Sequence, residues 1–319
     1  MEAMMNEKIG IVGLGFLGRG IAASFLSQGF EVVGLTPSAA EHELAMREIE
    51  TMVVERKKLC GLESSVNDWK ERFHRVTDFD KLADCTFVVE SVPEDILTKQ
   101  SVLDAVENMV QPTVVIASNT SAIPISLLQQ SRKYPSRMIG MHWAEPAHMT
   151  RFLELICGDQ TSPEVLDATL RMGRRLGKEP IVCQKDIPGF IVNRIAYAMY
   201  REACNLIDAG VADAESIDCS MRNSLGLWAS VCGPLRWIDI TGGPVLYARA
   251  MEGVLPTLSN STIVPRVLQK LADEGASGTA NGRGFYNYTS EESEMWKERY
   301  HRQVAEVMRM QDREFPLSD

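Results

Sequence analysis

Short apolar runs alternate with helix-period stretches through the first half of the chain. The runs are Ile9–Val12, Val32–Leu35, Phe87–Glu90, Val114–Ala117, Met138–Met141, Phe152–Ile156 and Ile181–Cys183. Each has the length of a buried strand, and stretches between them, such as Leu17–Gln28 and Leu97–Val110, carry the apolar period of a helix. Strand–helix alternation predicts parallel strands joined by right-handed crossovers. From Ala39 to about Arg72 the chain is too long for one crossover helix and reads as a charged helix pair, broken at Gly61.

The pattern changes after Lys185-Asp186-Ile187-Pro188. A long helix is expected over Gly189–Ala209, with Asp186 as its N-cap and Pro188 in its first turn. Further helical stretches follow at Ala214–Asn223, Val245–Met251, Val264–Glu274 and Glu291–Met310, with no strand alternation among them. The expected organisation is α/β: a doubly wound, mostly parallel sheet in residues 1–186, then an all-helical domain in residues 187–319.

Composition narrows the function classes. A 319-residue chain with 45% hydrophobic and 24% charged residues suits two globular domains. A formal net charge of -10 argues against nucleic acid as a partner, because phosphate neutralisation needs a basic surface. The seven cysteines are odd in number, scattered and without C-x-x-C, which predicts reduced thiols and a cytoplasmic protein. No metal-ligand spacing is visible among Cys and His. The first apolar run reads as strand plus turn rather than as a leader, and no run is long enough for a membrane span.

The chemistry begins at Gly13-Leu14-Gly15-Phe16-Leu17-Gly18, a G-x-G-x-x-G directly after a strand and before a helix. Gly13 permits the tight turn, Gly15 lets the backbone approach a pyrophosphate, and Gly18 lets helix and strand pack closely. With Phe16 and Leu17 between the glycines, the helix start offers free N–H groups to the phosphates. This is a Rossmann-type dinucleotide site. The second strand ends on Thr36, a candidate cofactor contact that can hydrogen-bond a ribose hydroxyl but lacks the charge of the acidic residue usual there. No arginine follows immediately, so NAD is expected, with NADP as the alternative.

Among the five histidines, His142 ends an apolar run, and the carboxyl ends of strands form the ligand crevice of such sheets. An imidazole there suits proton transfer to or from an alcohol. Glu154 lies inside Phe152-Leu153-Glu154-Leu155-Ile156, where a carboxylate is costly unless paired. Pairing with His142 across adjacent strands would satisfy it and orient the imidazole. Ser118-Asn119-Thr120-Ser121 follows another strand end, and Asn193 lies within the expected long helix.

In order, these segments resemble the 3-hydroxyacyl-CoA dehydrogenase family from about residue 8 to 288. The resemblance rests on the glycine turn, Val88-Val89-Glu90-Ser91-Val92-Pro93-Glu94, Ala117–Ser121, and His142 with Glu154. Asp186-Ile187-Pro188-Gly189-Phe190-Ile191-Val192-Asn193-Arg194 and Gly282-Arg283-Gly284-Phe285-Tyr286 complete it. It implies an NAD-dependent dehydrogenase acting on CH–OH groups, with a His142–Glu154 dyad. It also implies that Ser121 and Asn193 position the reacting oxygen and the histidine, that Glu94 and Lys99 contact the cofactor, and that two copies pair through the helical domain.

Several features depart from the CoA-using members. Glu145 stands where relatives carry Asn, three residues after the histidine, and is a candidate substrate-site residue. If ionised, Glu145 would favour the protonated imidazole, and Trp143 could add an aromatic face. Ser277-Gly278-Thr279-Ala280 replaces the Phe-Gly-Lys-Lys of CoA-using relatives, and the terminal helix runs past the usual end. These point to a small hydroxy acid or related alcohol, as in L-gulonate 3-dehydrogenase (lambda-crystallin) or the pyridine-carboxylate dehydrogenase of vitamin B6 breakdown. A 3-hydroxyacyl-CoA is the alternative, supported by Arg56-Lys57-Lys58 as a place for a nucleotide phosphate. A non-catalytic NAD-binding protein is the remote one, disfavoured by the intact His142 and Glu154.

Overall fold

The computed structural model describes residues 7–60 and 68–317. The chain forms two compact units. One runs to Asn193 and includes Met308 onward; the other is Arg194–Val307.

The first unit is built on one eight-stranded sheet: β1 (Lys8–Val12), β2 (Glu31–Leu35), β3 (Phe73–Val76), β4 (Phe87–Glu90), β5 (Val115–Ser118), β6 (Met138–His142), β7 (Phe152–Ile156) and β8 (Glu179–Cys183). The strand order is β3-β2-β1-β4-β5-β6-β7-β8. The order reverses at β1, so the crevice for a dinucleotide opens beyond the carboxyl ends of β1 and β4. Helices α1 (Phe16–Ser27), α2 (Ala39–Cys60) and α5 (Pro163–Arg175) supply one apolar layer with Ile9, Ile11 and Val32. Helices α3 (Ile96–Met109) and α4 (Ile125–Gln129) supply the other with Val12, Val33 and Val88. A strand buried on both faces needs no alternation, which explains the continuous apolar runs.

Two expectations are corrected here, and the sheet is mostly parallel as expected. Phe73–Val76 is a strand that its pattern hides: it lies at the sheet edge, and His74 and Arg75 are exposed. Among the described residues, the one antiparallel pair in this sheet is β6–β7. Only the loop 143–151 joins them, and it contains no crossover helix. The charged stretch before β3 is one long helix, α2, with a single 3₁₀ turn at Asp68–Lys70, rather than a helix pair over the described residues. Gly61, the expected break, lies outside them.

The second unit holds most of α6 (Val192–Asp208), then α7 (Ala214–Asn223), α8 (Leu225–Ala229), α9 (Pro234–Ile240), α10 (Gly243–Val254), α11 (Arg266–Asp273) and the first part of α12 (Ser290–Glu314). The end of α12 returns to the first unit, where Arg151 Nε donates to Asp312 Oδ1 at 3.1 Å and its Nη1 to the Phe315 carbonyl at 2.6 Å. No described helix is long and apolar enough to cross a membrane.

The start of α6 also differs from expectation. The helix begins at Val192, because Gly189 (φ 77°) and Phe190 (φ 50°) are left-handed and cannot extend it. Asp186 does not cap α6. Its two carboxylate oxygens instead accept from Ile125 N (3.1 Å) and Ser126 N (2.6 Å) at the start of α4.

Candidate active site

The glycine turn joins β1 to α1. Gly13 adopts φ 95°, and a Cβ there would lie 2.6 Å from the Ser91 carbonyl oxygen. A Cβ on Gly18 would sit 1.9 Å from the Gly13 carbonyl oxygen, so strand and helix can meet only over a glycine. At Gly15 nothing lies within 4 Å of that position, leaving the backbone open to an approaching phosphate. These residues fit a dinucleotide. The turn is tied to the neighbouring strand by Gly13 N donating to the Leu35 carbonyl at 2.9 Å.

Beyond Leu35, Thr36 is buried, and its hydroxyl donates to Glu41 Oε2 in the first turn of α2. In the sequence Glu41 carries no motif and stands out only as an acidic residue in a helix's first turn.

Between β4 and β5 lies a buried charged network. Lys99 Nζ bonds Glu90 Oε1 at 2.8 Å, Glu94 Oε2 at 3.4 Å and the Val92 carbonyl at 3.2 Å, and neither Lys99 nor Glu90 has any exposed side-chain surface. Ser118 Oγ donates to the other Glu90 oxygen, and Val92 N to Oε1 at 2.7 Å. Glu94 Oε1 in turn accepts from Thr120 Oγ1 at 2.6 Å and from Ser121 N and Ala122 N at 2.9 Å. Burial works against ionising Glu94, but the Thr120 hydroxyl, the Lys99 charge and the two amides outweigh it and hold its carboxyl below the usual range. The network thus fixes the turn that carries Ser121.

His142 and Glu154 meet across the β6–β7 register. The His142 Nδ1 to Glu154 Oε2 distance is 2.9 Å, and both side chains are buried. Glu154 Oε1 accepts from Val192 N at 2.9 Å and Ile191 N at 3.2 Å, the free amides at the start of α6. Phe152 and Phe190 each place a ring 5.6 Å from the imidazole. Asn193, next along α6, donates from Nδ2 to the Ser121 carbonyl at 2.8 Å. Hydrogen bonds and adjacent backbone therefore link His142, Glu154, Asn193, Ser121 and Glu94. Asn119 ties the next strand end to this group: its Oδ1 accepts from Trp143 N at 3.0 Å and its Nδ2 donates to Ser91 Oγ at 3.1 Å.

Two expectations fail around the loop after His142. Trp143 offers no aromatic face to the site; it is 1% exposed, packs towards Phe25, and has Lys178 Nζ 4.8 Å from its ring centre. Arg56 is not available to a nucleotide phosphate. It is 2% exposed, and its guanidinium donates to the His148 carbonyl at 2.5 Å and to the Leu176 carbonyl. Lys57 is also buried.

Burial pushes the Glu145 carboxyl from an ordinary 4.5 up to about 7. The folded state therefore keeps Glu145 protonated at pH values where the unfolded chain has already ionised it. Its contribution to stability is full below pH 4.5 and is lost as pH rises through about 7. Glu145→Gln removes this dependence. For a fully buried group this shift would be worth about 2.5 kcal/mol between pH 5 and pH 8, and because Glu145 is only part-buried, solvent screening reduces the expected gain of the variant over the parent to on the order of 1 kcal/mol. Thermal melts across that range read the difference, and a constant offset would refute it.

Family models match almost all of this architecture. The model "3-hydroxyacyl-CoA dehydrogenase, NAD binding domain" matches residues 8–187, and "3-hydroxyacyl-CoA dehydrogenase, C-terminal domain" matches residues 189–288. The 5-formyl-3-hydroxy-2-methylpyridine 4-carboxylate 5-dehydrogenase of Mesorhizobium japonicum is 32% identical over 311 residues, covering 96% of this chain and 98% of that protein. The probable 3-hydroxybutyryl-CoA dehydrogenase of Deinococcus radiodurans is 33% identical over 282 residues, covering 88% of this chain and all of that one. Among solved structures, an NAD+-dependent 5-formyl-3-hydroxy-2-methylpyridine 4-carboxylic acid 5-dehydrogenase superposes with a TM-score of 0.89 at 30% identity, covering 96% of this chain and 98% of that one.

Proposed function

Because the chain belongs to the 3-hydroxyacyl-CoA dehydrogenase family, whose N-terminal domain binds NAD, we propose that it moves a hydride between NAD and the hydroxyl or carbonyl carbon of a small substrate free of CoA. The carrying observation is the buried His142–Glu154 pair, with Nδ1 2.9 Å from Oε2 and the other oxygen held by two amides.

Glu154 occupies Nδ1, so Nε2 is the nitrogen that faces the reaction. In oxidation His142 accepts the hydroxyl proton at Nε2, and Nδ1–H donates to the carboxylate, which offsets the imidazolium charge. In reduction the same proton returns to the alkoxide oxygen. Ser121 and Asn193, joined by their 2.8 Å hydrogen bond, position the reacting oxygen. Bound NAD supplies the hydride acceptor. Gly13, Gly15, Phe16, Leu17, Gly18 and Glu94 hold it, and Lys99 acts through Glu94.

A small substrate is favoured on two grounds. The internal role of Arg56 removes the clearest cation for a nucleotide phosphate. The likeness to the pyridine-carboxylate dehydrogenase also spans 96% of the chain, including residues past the family models. The identity to the Deinococcus protein favours a 3-hydroxyacyl-CoA as the second reading. Steady-state NADH production on a panel of free hydroxy acids and pyridine alcohols, set against acetoacetyl-CoA reduction, decides between them. A kcat/KM for the thioester above every free substrate would overturn the first reading.

The second unit leaves the large apolar side chains of Leu225, Leu227, Leu235, Ile240 and Val245 exposed. A second copy covers them in this proposal, and the active preparation should sediment at twice the chain mass. Cys85, Cys157, Cys183, Cys204, Cys219 and Cys232 carry free thiols, as suits the cytoplasm.

A further inference from the structure

The end of β2 is where a dinucleotide-binding sheet normally places a carboxylate for the adenosine ribose. This chain has a threonine there, and Thr36 cannot serve in its place: it is 2% exposed and its hydroxyl is already committed to Glu41. The carboxylate is nonetheless present at this strand end, delivered from five positions further on by the first turn of α2. Glu41 itself is exposed. The amide of the phosphate turn, Gly13 N, bonds the carbonyl of Leu35, the residue before Thr36, so the turn and this carboxylate are anchored to the same end of β2.

We infer that Glu41, held by Thr36, is the carboxylate that grips the adenosine ribose of NAD and excludes a 2′-phosphate. A carboxylate has about four lone-pair sites, so one bond from Thr36 leaves capacity for two ribose hydroxyls. Its negative charge repels the phosphate that NADP carries at the 2′ position. The surroundings offer that phosphate little in return. No Lys or Arg occurs from residue 36 to residue 46. Arg75, on the adjacent strand, is paired with Glu43 at 2.9 Å. His42 is buried, with Nε2 3.3 Å from the Val76 carbonyl. Thr36 is thus a positioning residue. Its hydroxyl fixes a carboxylate that would otherwise swing freely on a helix terminus. Aspartate at position 36 would be a poor substitute, because it would set a second negative charge against Glu41.

The test is nucleotide affinity, which needs no knowledge of the substrate, so its failure is distinct from failure of the substrate reading. Full-length protein is titrated with NADH and with NADPH, followed by nucleotide fluorescence, for the parent and for Glu41→Gln, Glu41→Arg and Thr36→Val. Thermal melts without nucleotide accompany each. The parent should bind NADH far more tightly than NADPH. Glu41→Gln should weaken NADH about tenfold, the scale of a lost charge-assisted bond, and leave the nucleotide-free melt unchanged. Glu41→Arg should tighten NADPH by at least about tenfold. Thr36→Val should give a smaller loss for NADH, because the charge stays while its tether is gone. The inference is overturned if Glu41→Gln binds both nucleotides as the parent does, if the parent binds them equally, or if only Thr36→Val weakens NADH.

Discussion

His142→Ala should lower kcat by about 100-fold or more while NADH binding persists. The imidazole is held between Glu154 and the rings of Phe152 and Phe190. Alanine removes the proposed proton acceptor but leaves the glycine turn, which lies on another strand, untouched. Glu154→Gln tests the second half of the pair. Glutamine keeps the size and can still accept from Ile191 N and Val192 N, so α6 stays anchored. What it removes is the negative charge opposite the developing imidazolium, and kcat should fall roughly 10- to 100-fold. Turnover of His142→Ala within a few-fold of the parent would sink the assignment of His142 as the acid–base group. Loss of NADH binding alongside activity would point instead to a disturbed fold.

Much of this site was legible in the chain because local rules and the final fold agree. The glycine turn reads directly, since only glycine tolerates the φ at Gly13 and the contact at Gly18. Glu154 was legible for a different reason: a carboxylate inside an apolar strand demands a partner, and His142 ends the neighbouring strand. The misreadings arise where a side chain is used far from its own element in sequence. Asp186 looks like the cap of the helix that follows it, yet it serves α4, some sixty residues earlier. Arg56 and Lys57 look like a solvated basic face, yet α2 turns Arg56 inward onto the carbonyls of His148 and Leu176. Glu41 carries no signal at the strand end itself, because its carboxylate reaches Thr36 from the first turn of the next helix. Phe190 shows the same limit in the backbone. Its left-handed φ of 50° breaks a stretch whose composition reads as helix, and the amides of Ile191 and Val192 then meet Glu154.

The largest loss of stability should come from Lys99→Met. The family resemblance leads one to expect Lys99 at the cofactor, but its ammonium has no exposed surface and lies among the oxygens of Glu90, Glu94 and Val92. Methionine fills the same volume without charge and leaves the Glu90 carboxylate in the core facing no cation. Removing one partner of a buried ion pair costs about 3–5 kcal/mol, because the other charge is left uncompensated. On a domain of this size that is a fall in Tm of roughly 10 °C. Val92 N and Ser118 Oγ still donate to Glu90, so the loss falls short of a fully orphaned charge. The double variant Lys99→Met/Glu90→Gln should recover part of the loss, since neutralising Glu90 removes the charge that Lys99 had balanced. The two roles for Lys99 separate cleanly. If it acts from behind Glu94, NADH affinity measured well below the melting point should stay within about threefold of the parent, because Glu94 keeps its bonds from Thr120, Ser121 and Ala122. If Lys99 instead touches the nucleotide, NADH affinity should drop sharply while Tm hardly moves, and the double variant should rescue nothing.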